Sequence, residues 1–184
     1  TGQRTVTKLF NASKFCFMHL QDYTDKYSTE VLDKWIVSKL QRVIQTSTEG
    51  FLKNEYSRAK HETDNFFWNI FCDYYLEICK NRLYNPDIRG QDARQSAQYA
   101  LYTCLNSVIK LFAPIMPFVT EEIYHMYFAD KERVSSVHNA TWPEFNQDLV
   151  DVSAERAGWL AVTLIGYVRK YKAEKNLSLK ADID

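Results

Sequence analysis

The chain has 184 residues, of which 46% are hydrophobic and 25% are charged, so the composition predicts one folded domain and excludes a disordered chain. Basic and acidic residues both number 23, so the overall charge favours neither a nucleic acid nor a membrane as partner. The charges are unevenly placed, however. Residues 1–21 hold three basic residues and no acid, and residues 167–184 hold five basic residues against three acidic ones, so both ends are basic and the middle is acidic.

Cysteine and histidine spacing predicts neither a disulfide framework nor a metal site. The four cysteines form no CxxC pair and lie within apolar helical patterns, which predicts reduced, buried thiols in a cytoplasmic protein. The four histidines form no HxxxH or HExxH pair. No apolar run approaches the roughly 20 residues that span a bilayer. The first residues also lack the apolar segment of a signal peptide, and we expect the chain to be part of a longer protein.

The apolar residues recur with the period of an α-helix almost throughout, and five glycines and four prolines leave little material for hairpins. The pattern predicts an all-α fold, an up-and-down antiparallel helix bundle. We expect the main bundle over residues 1–150 and the final basic helix in 151–184. The predicted helices cover residues 4–21, 30–46, 57–83, 93–112, 118–128 and 154–175, with connections at 22–29 and 129–149.

Local signals set the predicted ends of these helices. Gly50 and the polar residues before it predict a break after the second helix. Ser57 and Ser153 are the predicted N-caps of the third helix and the last one. Asp92 followed by Gln95 predicts a capping box at the start of the fourth helix.

Catalytic motifs are missing from the sequence. It contains no GxGxxG, Walker loop, GxSxG or zinc signature. Neighbouring carboxylates such as Glu121 and Glu122 point about 100° apart on a helix, so they cannot work as an acid–base pair. We interpret them as first-turn acids that complement the helix dipole. We therefore predict no catalytic residue, no metal ligand and no cofactor in this chain.

The first predicted helix has two faces. Its predicted core stripe comprises Val6, Leu9, Phe10, Cys16, Phe17 and Leu20. The opposite face carries Arg4, Lys8, Asn11, Lys14, Phe15 and Met18. Single-stranded RNA is bound by this mixture, because cations meet phosphates, an amide reads a base edge and an aromatic ring stacks on a base. The helical spacing alone leaves open the alternative that Phe15 and Met18 pack under a neighbouring helix or another domain.

The last predicted helix carries a second candidate for RNA contact. Its predicted inward stripe comprises Leu160, Leu164, Tyr167, Val168 and Tyr171. Its basic cluster comprises Arg169, Lys170, Lys172 and Lys175. Cations at this end also offset the helix dipole, so a solvated last turn is the alternative. In a bundle with an even number of helices, the basic clusters of the two chain ends would meet.

The aromatic stretch 65–80 has the spacing of a buried helix, which predicts core packing. Trp68 and Tyr75 fall outside its stripe, and we expect them to contact another helix or domain.

Five stretches of the sequence carry motifs, in the order KLFNASKF, DKWIVSKL, FFWNIFCDYYLEICK, LFAPIMPFVTEEIY and SVHNATWPEF. Together they resemble the anticodon-binding helical domain of class I aminoacyl-tRNA synthetases, most closely that of the valine-specific members. The resemblance covers nearly the whole chain. Two departures are mild: Lys14 stands where this family usually has arginine, and Phe10 where it often has tryptophan or tyrosine. Since Lys14 lacks the planar guanidinium fork, no bidentate contact is predicted there.

The resemblance implies a parent enzyme that activates valine with ATP and Mg²⁺ and esterifies it to tRNA(Val). The HIGH and KMSKS signatures of such catalytic domains are absent here, so this domain is expected to bind the anticodon stem-loop without catalysis. We expect it to act beside the catalytic domain of the same chain, as a cytoplasmic monomer. Arg4, Lys8 and Lys14 would neutralise loop phosphates. Phe15 would stack on an unstacked base, and Asn11 would read a base edge or fix the start of a neighbouring helix.

Two alternatives remain open at this point. The same domain of an isoleucyl- or leucyl-tRNA synthetase shares several of these motifs. A helical protein-interaction module would instead use Phe15, Met18 and Trp68 as an apolar docking patch.

Overall fold

A computed structural model describes residues 2–24, 27, 29–179 and 181. Within these residues every regular element is helical and no strand occurs, which confirms the predicted all-α class. Residues 25, 26 and 28 of the predicted first connection lie outside the described residues. The helices are α1 (Gly2–His19), α2 (Val31–Leu52), α3 (Tyr56–Asn65), α4 (Leu76–Tyr84), α5 (Pro86–Arg89), α6 (Gln91–Phe112), α7 (Pro117–His125), α8 (Phe128–Glu132) and α9 (Val152–Glu174), with a π-helical segment at Phe66–Tyr75 and 3₁₀ turns at Val137–Asn139 and Gln147–Leu149.

Helix α2 lies at the centre of the bundle. It packs against α3, α6 and α9, while α4 packs against α6, and α1 packs against α6 and α7. The short connection between α2 and α3 turns the chain back on itself, as the predicted up-and-down bundle requires. None of the described helices is long and apolar enough to span a membrane.

Helices α3 and α4 and the π-helical segment between them form one continuous helix from Tyr56 to Tyr84, close to the predicted 57–83. The π winding covers ten residues, where a single turn is usual, and such windings are frequent at functional sites. It buries four aromatic side chains, Phe66, Phe67, Phe71 and Tyr75. Tyr75 had no place in the predicted stripe, but the structure buries it fully.

The predicted break after the second helix is present, but it lies at residues 53–55 and not at Gly50, because α2 continues to Leu52. Gly50 is buried where α2 approaches α3. A Cβ there would lie 3.2 Å from the Cβ and the backbone nitrogen of Ala59. The glycine therefore serves close helix packing and does not end the helix.

The predicted N-caps are also wrong. Helix α3 begins at Tyr56, before Ser57, and α6 begins at Gln91 with no capping side chain. Helix α9 is capped by Asp151, whose Oδ1 accepts from the Ala154 backbone nitrogen at 2.8 Å, and Ser153 already lies inside the helix. For α9 the sequence offers two suitable caps, Asp151 and Ser153, whereas α3 and α6 begin without a capping side chain.

Helix α7 begins at Pro117, one residue before the predicted start, and no acidic residue lies in its first turn, so Glu121 lies beyond that turn. Its carboxylate accepts hydrogen bonds from the Ser136 hydroxyl and the Val137 backbone nitrogen. These bonds lower the Glu121 pKa although partial burial acts to raise it. Glu121 therefore holds the segment after α8 against α7 and does not complement the dipole of the first turn.

The predicted inward stripe of α9 is wrong. The five side chains, Leu160, Leu164, Tyr167, Val168 and Tyr171, are each between 43% and 68% exposed. Helix α9 instead meets α2 through its small residues Ala154 and Gly158, both buried. A Cβ on Gly158 would lie 2.2 Å from the ring of Trp35. Close approach to a large ring therefore decides which face of α9 points inward.

All four cysteines are free thiols, and Cys16, Cys79 and Cys104 are fully buried, as predicted. Cys72 is half-buried, and burial raises its pKa to about 12. These thiols are therefore protonated at neutral pH and act as small packing groups.

Candidate nucleic-acid interface

An open groove lies between α1 and the helix that faces it, formed by the π-helical segment and α4. Its volume is about 660 Å³, within the range of roughly 300–1,000 Å³ that is usual for ligand sites. We call it the α1 groove. Helix α1 contributes Arg4, Lys8, Asn11 and Phe15 to its lining.

These four residues follow one another at spacings of four, three and four, so they share one face of α1. The structure therefore brings four of the six predicted α1 contacts together in one groove. Lys14 is outside it, with its Nζ 4.6 Å from the ring centroid of Phe10. Met18 also lies outside the groove lining and is 56% exposed.

The opposite wall was not predicted as an RNA site, and of its residues only Trp68 was named, in the alternative docking patch. It consists of Trp68, Cys72, Leu76, Glu77 and Lys80. Trp68, Cys72, Leu76 and Lys80 are spaced by four, which aligns them along one side of the helix. The displacement of Trp68 from the core stripe was the one sequence signal for this wall. Nothing in the local pattern separated Lys80 from an ordinary surface lysine.

Lys8 bridges the two walls. Its Nζ lies 4.0 Å from the ring centroid of Trp68, at cation–π distance, and 2.8 Å from Oδ1 of Asp73. The ammonium thus covers the face of the indole while a carboxylate of the π-helical segment holds it.

Phe15 is half-buried, which the division of α1 into a core face and an exposed face did not predict. Its ring meets the His19 ring edge-on at 4.8 Å, and Lys80 Nζ lies 5.9 Å from its centroid. Phe10 is likewise only half-buried, and Val6 of the predicted core stripe is exposed. One side of the Phe15 ring is therefore supported by the fold, and the residue also lines the groove.

His19 stiffens this end of α1. It is buried between the rings of Phe15 and Tyr84, the latter at 4.6 Å. Burial lowers the His19 pKa, and the nearby Arg94 cation lowers it further, against the smaller opposing effect of Asp22. The imidazole is therefore neutral at physiological pH.

The two basic ends of the chain meet at the π-helical segment. Arg169 of α9 donates through Nη2 to the backbone oxygen of Asp73 at 3.0 Å, and its Cζ lies 4.9 Å from the Tyr74 centroid. Lys8 from α1 binds the side chain of the same Asp73.

The other members of the α9 cluster are placed differently. Lys172 is buried, and its Nζ donates to the backbone oxygens of Leu179 and Ala181 at 2.8 and 2.5 Å. It therefore holds the segment after α9 and does not present its charge to solvent. Lys170 and Lys175 are exposed, and Lys170 lies 3.9 Å from Glu174.

The α1 groove combines lysine and arginine cations, two aromatic rings and an amide. Cations pair with phosphates, rings stack on unstacked bases and an amide can hydrogen-bond to a base edge. Within the part of the chain that the structure describes, no three metal-ligating side chains are grouped as a site. The groove is therefore chemically suited to a single-stranded segment of a nucleic acid.

The family model for the anticodon-binding domain of tRNA ligase matches residues 33–184. The chain therefore belongs to the family of anticodon-binding domains of tRNA ligases. The matched residues include the wall of the groove formed by the π-helical segment and α4, as well as α9.

Three similar proteins are valine–tRNA ligases. The protein from Ehrlichia canis is 42% identical over 100% of this chain and 23% of its own length. The protein from the Wolbachia of Brugia malayi is 39% identical over 97% and 21%, and that from Pyrococcus horikoshii is 38% identical over 98% and 20%. The chain thus spans about a fifth of the length of the curated relatives it matches.

Proposed function

We propose that this domain binds the anticodon stem-loop of tRNA(Val) as part of a longer valine–tRNA ligase. The observation that carries the proposal is the α1 groove, whose lining combines the cations of Arg4 and Lys8 with the rings of Phe15 and Trp68. Its charges and rings complement the phosphates and unstacked bases of an RNA loop. Membership of the anticodon-binding family supports a tRNA anticodon stem-loop as the ligand. The similarity to valine–tRNA ligases supports tRNA(Val) as the particular tRNA.

Each groove residue has a proposed role. Arg4 and Lys8 neutralise loop phosphates, Asn11 reads a base edge, and Phe15 and Trp68 provide surfaces on which bases stack. Lys80 adds a cation on the opposite wall, although the Glu77 carboxylate at 2.5 Å from its Nζ offsets that charge locally. Lys14 and Met18 lie outside the groove lining and would contact RNA only along the outer edge of α1. Arg169 extends the basic surface onto α9.

The chemistry of the parent enzyme belongs to other parts of the longer chain in this proposal. Those parts would use ATP and Mg²⁺ to activate valine and would esterify it to the tRNA that the present domain holds. We propose that the enzyme works as a cytoplasmic monomer.

Steady-state aminoacylation by the full-length protein tests the role of the groove. Phe15→Ala and Trp68→Ala should each raise the KM for tRNA(Val), because a base–aromatic stack is worth about 1–3 kcal/mol. Valine- and ATP-dependent pyrophosphate exchange, which needs no tRNA, should stay unchanged. Phe118→Ala on α7 is the matched control, since that phenylalanine is 91% exposed and lines no part of the groove.

Unchanged tRNA kinetics in both groove variants would refute the stacking roles. Purified isoacceptors for valine, isoleucine and leucine, compared in the same assay, test the choice of tRNA. Preference for tRNA(Ile) or tRNA(Leu) would reassign the parent enzyme while leaving the groove as its RNA site.

A further inference from the structure

Asp73 occupies the ridge between two grooves. The α1 groove lies on one side, and on the other a second groove of about 770 Å³ separates α9 from the π-helical segment and α4. Cys72 and Glu77 line both grooves. Asp73 lines the second groove, yet its carboxylate reaches the ammonium of Lys8, which lines the first.

The carboxylate of Asp73 holds Lys8 in a position that conflicts with RNA binding. It fixes the ammonium above the face of Trp68, so a base that stacks on this ring must move the lysine aside. It also places a negative charge where a phosphate paired to Lys8 would come closest. Both side chains are accessible enough for exchange, with 27% of Lys8 and 48% of Asp73 exposed.

The backbone around Asp73 is anchored, so the residue stays beside the α1 groove when Lys8 leaves. Arg169 holds the Asp73 carbonyl oxygen at 3.0 Å, and the residue belongs to the continuous helix that ends in α4. A tethered acid of this kind competes with every polyanion for the same lysine.

We propose that Asp73 is an intramolecular competitor of RNA for Lys8, and that it keeps the lysine as a cover on Trp68 until a phosphate displaces it. The inference rests on the proposed function, because it assigns Lys8 and Trp68 to RNA binding. It adds a residue that opposes binding. An RNA enters the α1 groove only if its phosphate binds Lys8 more favourably than Asp73 does.

A double-mutant cycle in the full-length protein tests the proposal, with tRNA(Val) as the probe and filter binding as the readout. Asp73→Asn should tighten binding by up to about fivefold, the effect of losing one exposed ion pair. In a Lys8→Ala background the same substitution should have no more effect than Asp130→Asn, which removes an exposed aspartate of α8 outside both grooves. Thermal melting of each variant checks that the fold is retained.

The possible outcomes separate the two proposals. Weaker or unchanged binding by Asp73→Asn would overturn the competition, and so would equal tightening with and without Lys8. If Lys8→Ala itself leaves tRNA binding unchanged, the proposed role of Lys8 fails and the competition fails with it. If Lys8→Ala weakens binding while Asp73→Asn has no effect, the competition alone is wrong.

Discussion

Asp33 of α2 and Arg82 of α4 form a buried, bidentate ion pair, with both N–O distances at 2.6 Å. The Asp33 carboxylate also accepts from the Tyr75 hydroxyl at 2.7 Å and from the Ser96 hydroxyl at 2.6 Å. One carboxylate thereby joins α2, α4, α6 and the π-helical segment. Because the π-helical segment forms a wall of the α1 groove, this network fixes that wall relative to α2.

Asp33→Asn should strongly destabilise the fold, because it leaves the Arg82 charge buried without its partner. We expect a loss of about 3–5 kcal/mol in the free energy of unfolding, measured by urea denaturation of the 184-residue chain. The exposed Asp92 provides the control, and Asp92→Asn should lower the same free energy by less than about 1 kcal/mol, because it removes only a first-turn interaction with the α6 dipole. A loss of under about 1 kcal/mol for Asp33→Asn would mean that the ion pair does not hold the helices together.

Two glycines of α9 should respond in opposite ways to alanine. Gly158→Ala forces a methyl group against the Trp35 ring and should destabilise the bundle by about 1–3 kcal/mol. Gly166 has open space around its Cα, so Gly166→Ala should stabilise the helix by about 0.5–1 kcal/mol. Thermal melts of both variants provide the measurement. Equal effects of the two substitutions would contradict the close packing of α9 on α2.

His19 should make stability fall as the solution becomes acidic. Its folded-state pKa is lowered by burial and by Arg94, so below the ordinary pKa of about 6.5 the unfolded chain binds a proton that the folded chain resists. The melting temperature should therefore drop between pH 7.5 and pH 5.5. His19→Gln should reduce this drop, whereas His61→Gln, at an exposed position, should leave it unchanged. An equal drop in the His19 variant would assign the pH dependence to other groups.

The sequence predicted the elements of this fold better than their mutual packing. The aromatic periodicity of 65–80 correctly predicted a buried helix, because large apolar side chains at helical spacing form one face that is stable only when it is buried. The orientation of α9 could not be predicted from the same rule. Its large residues point outward, because Gly158 allows the backbone to approach Trp35, and such an approach depends on two distant residues.

Only the α1 side of the candidate site could be predicted from the sequence, for a similar reason. Arg4, Lys8, Asn11 and Phe15 lie on one helix, so their spacing alone placed them on one face. The facing wall belongs to a π-helical segment and its continuation, and only the tertiary fold brings Trp68 and Lys80 opposite α1. Lys172 is a residue that the sequence wrongly presented as an available surface cation. It belongs to a basic cluster in sequence, but it is engaged by the backbone oxygens of residues 179 and 181.

The most direct test of RNA binding in the α1 groove is a salt titration of tRNA(Val) binding to the full-length protein. We expect the logarithm of the association constant to fall linearly with the logarithm of the salt concentration. Lys8→Ala should make that slope shallower by about one contact, while Lys53→Ala, at an exposed lysine outside the groove, should leave it unchanged. Binding insensitive to salt, or an unchanged slope in Lys8→Ala, would contradict the assignment of this groove to RNA.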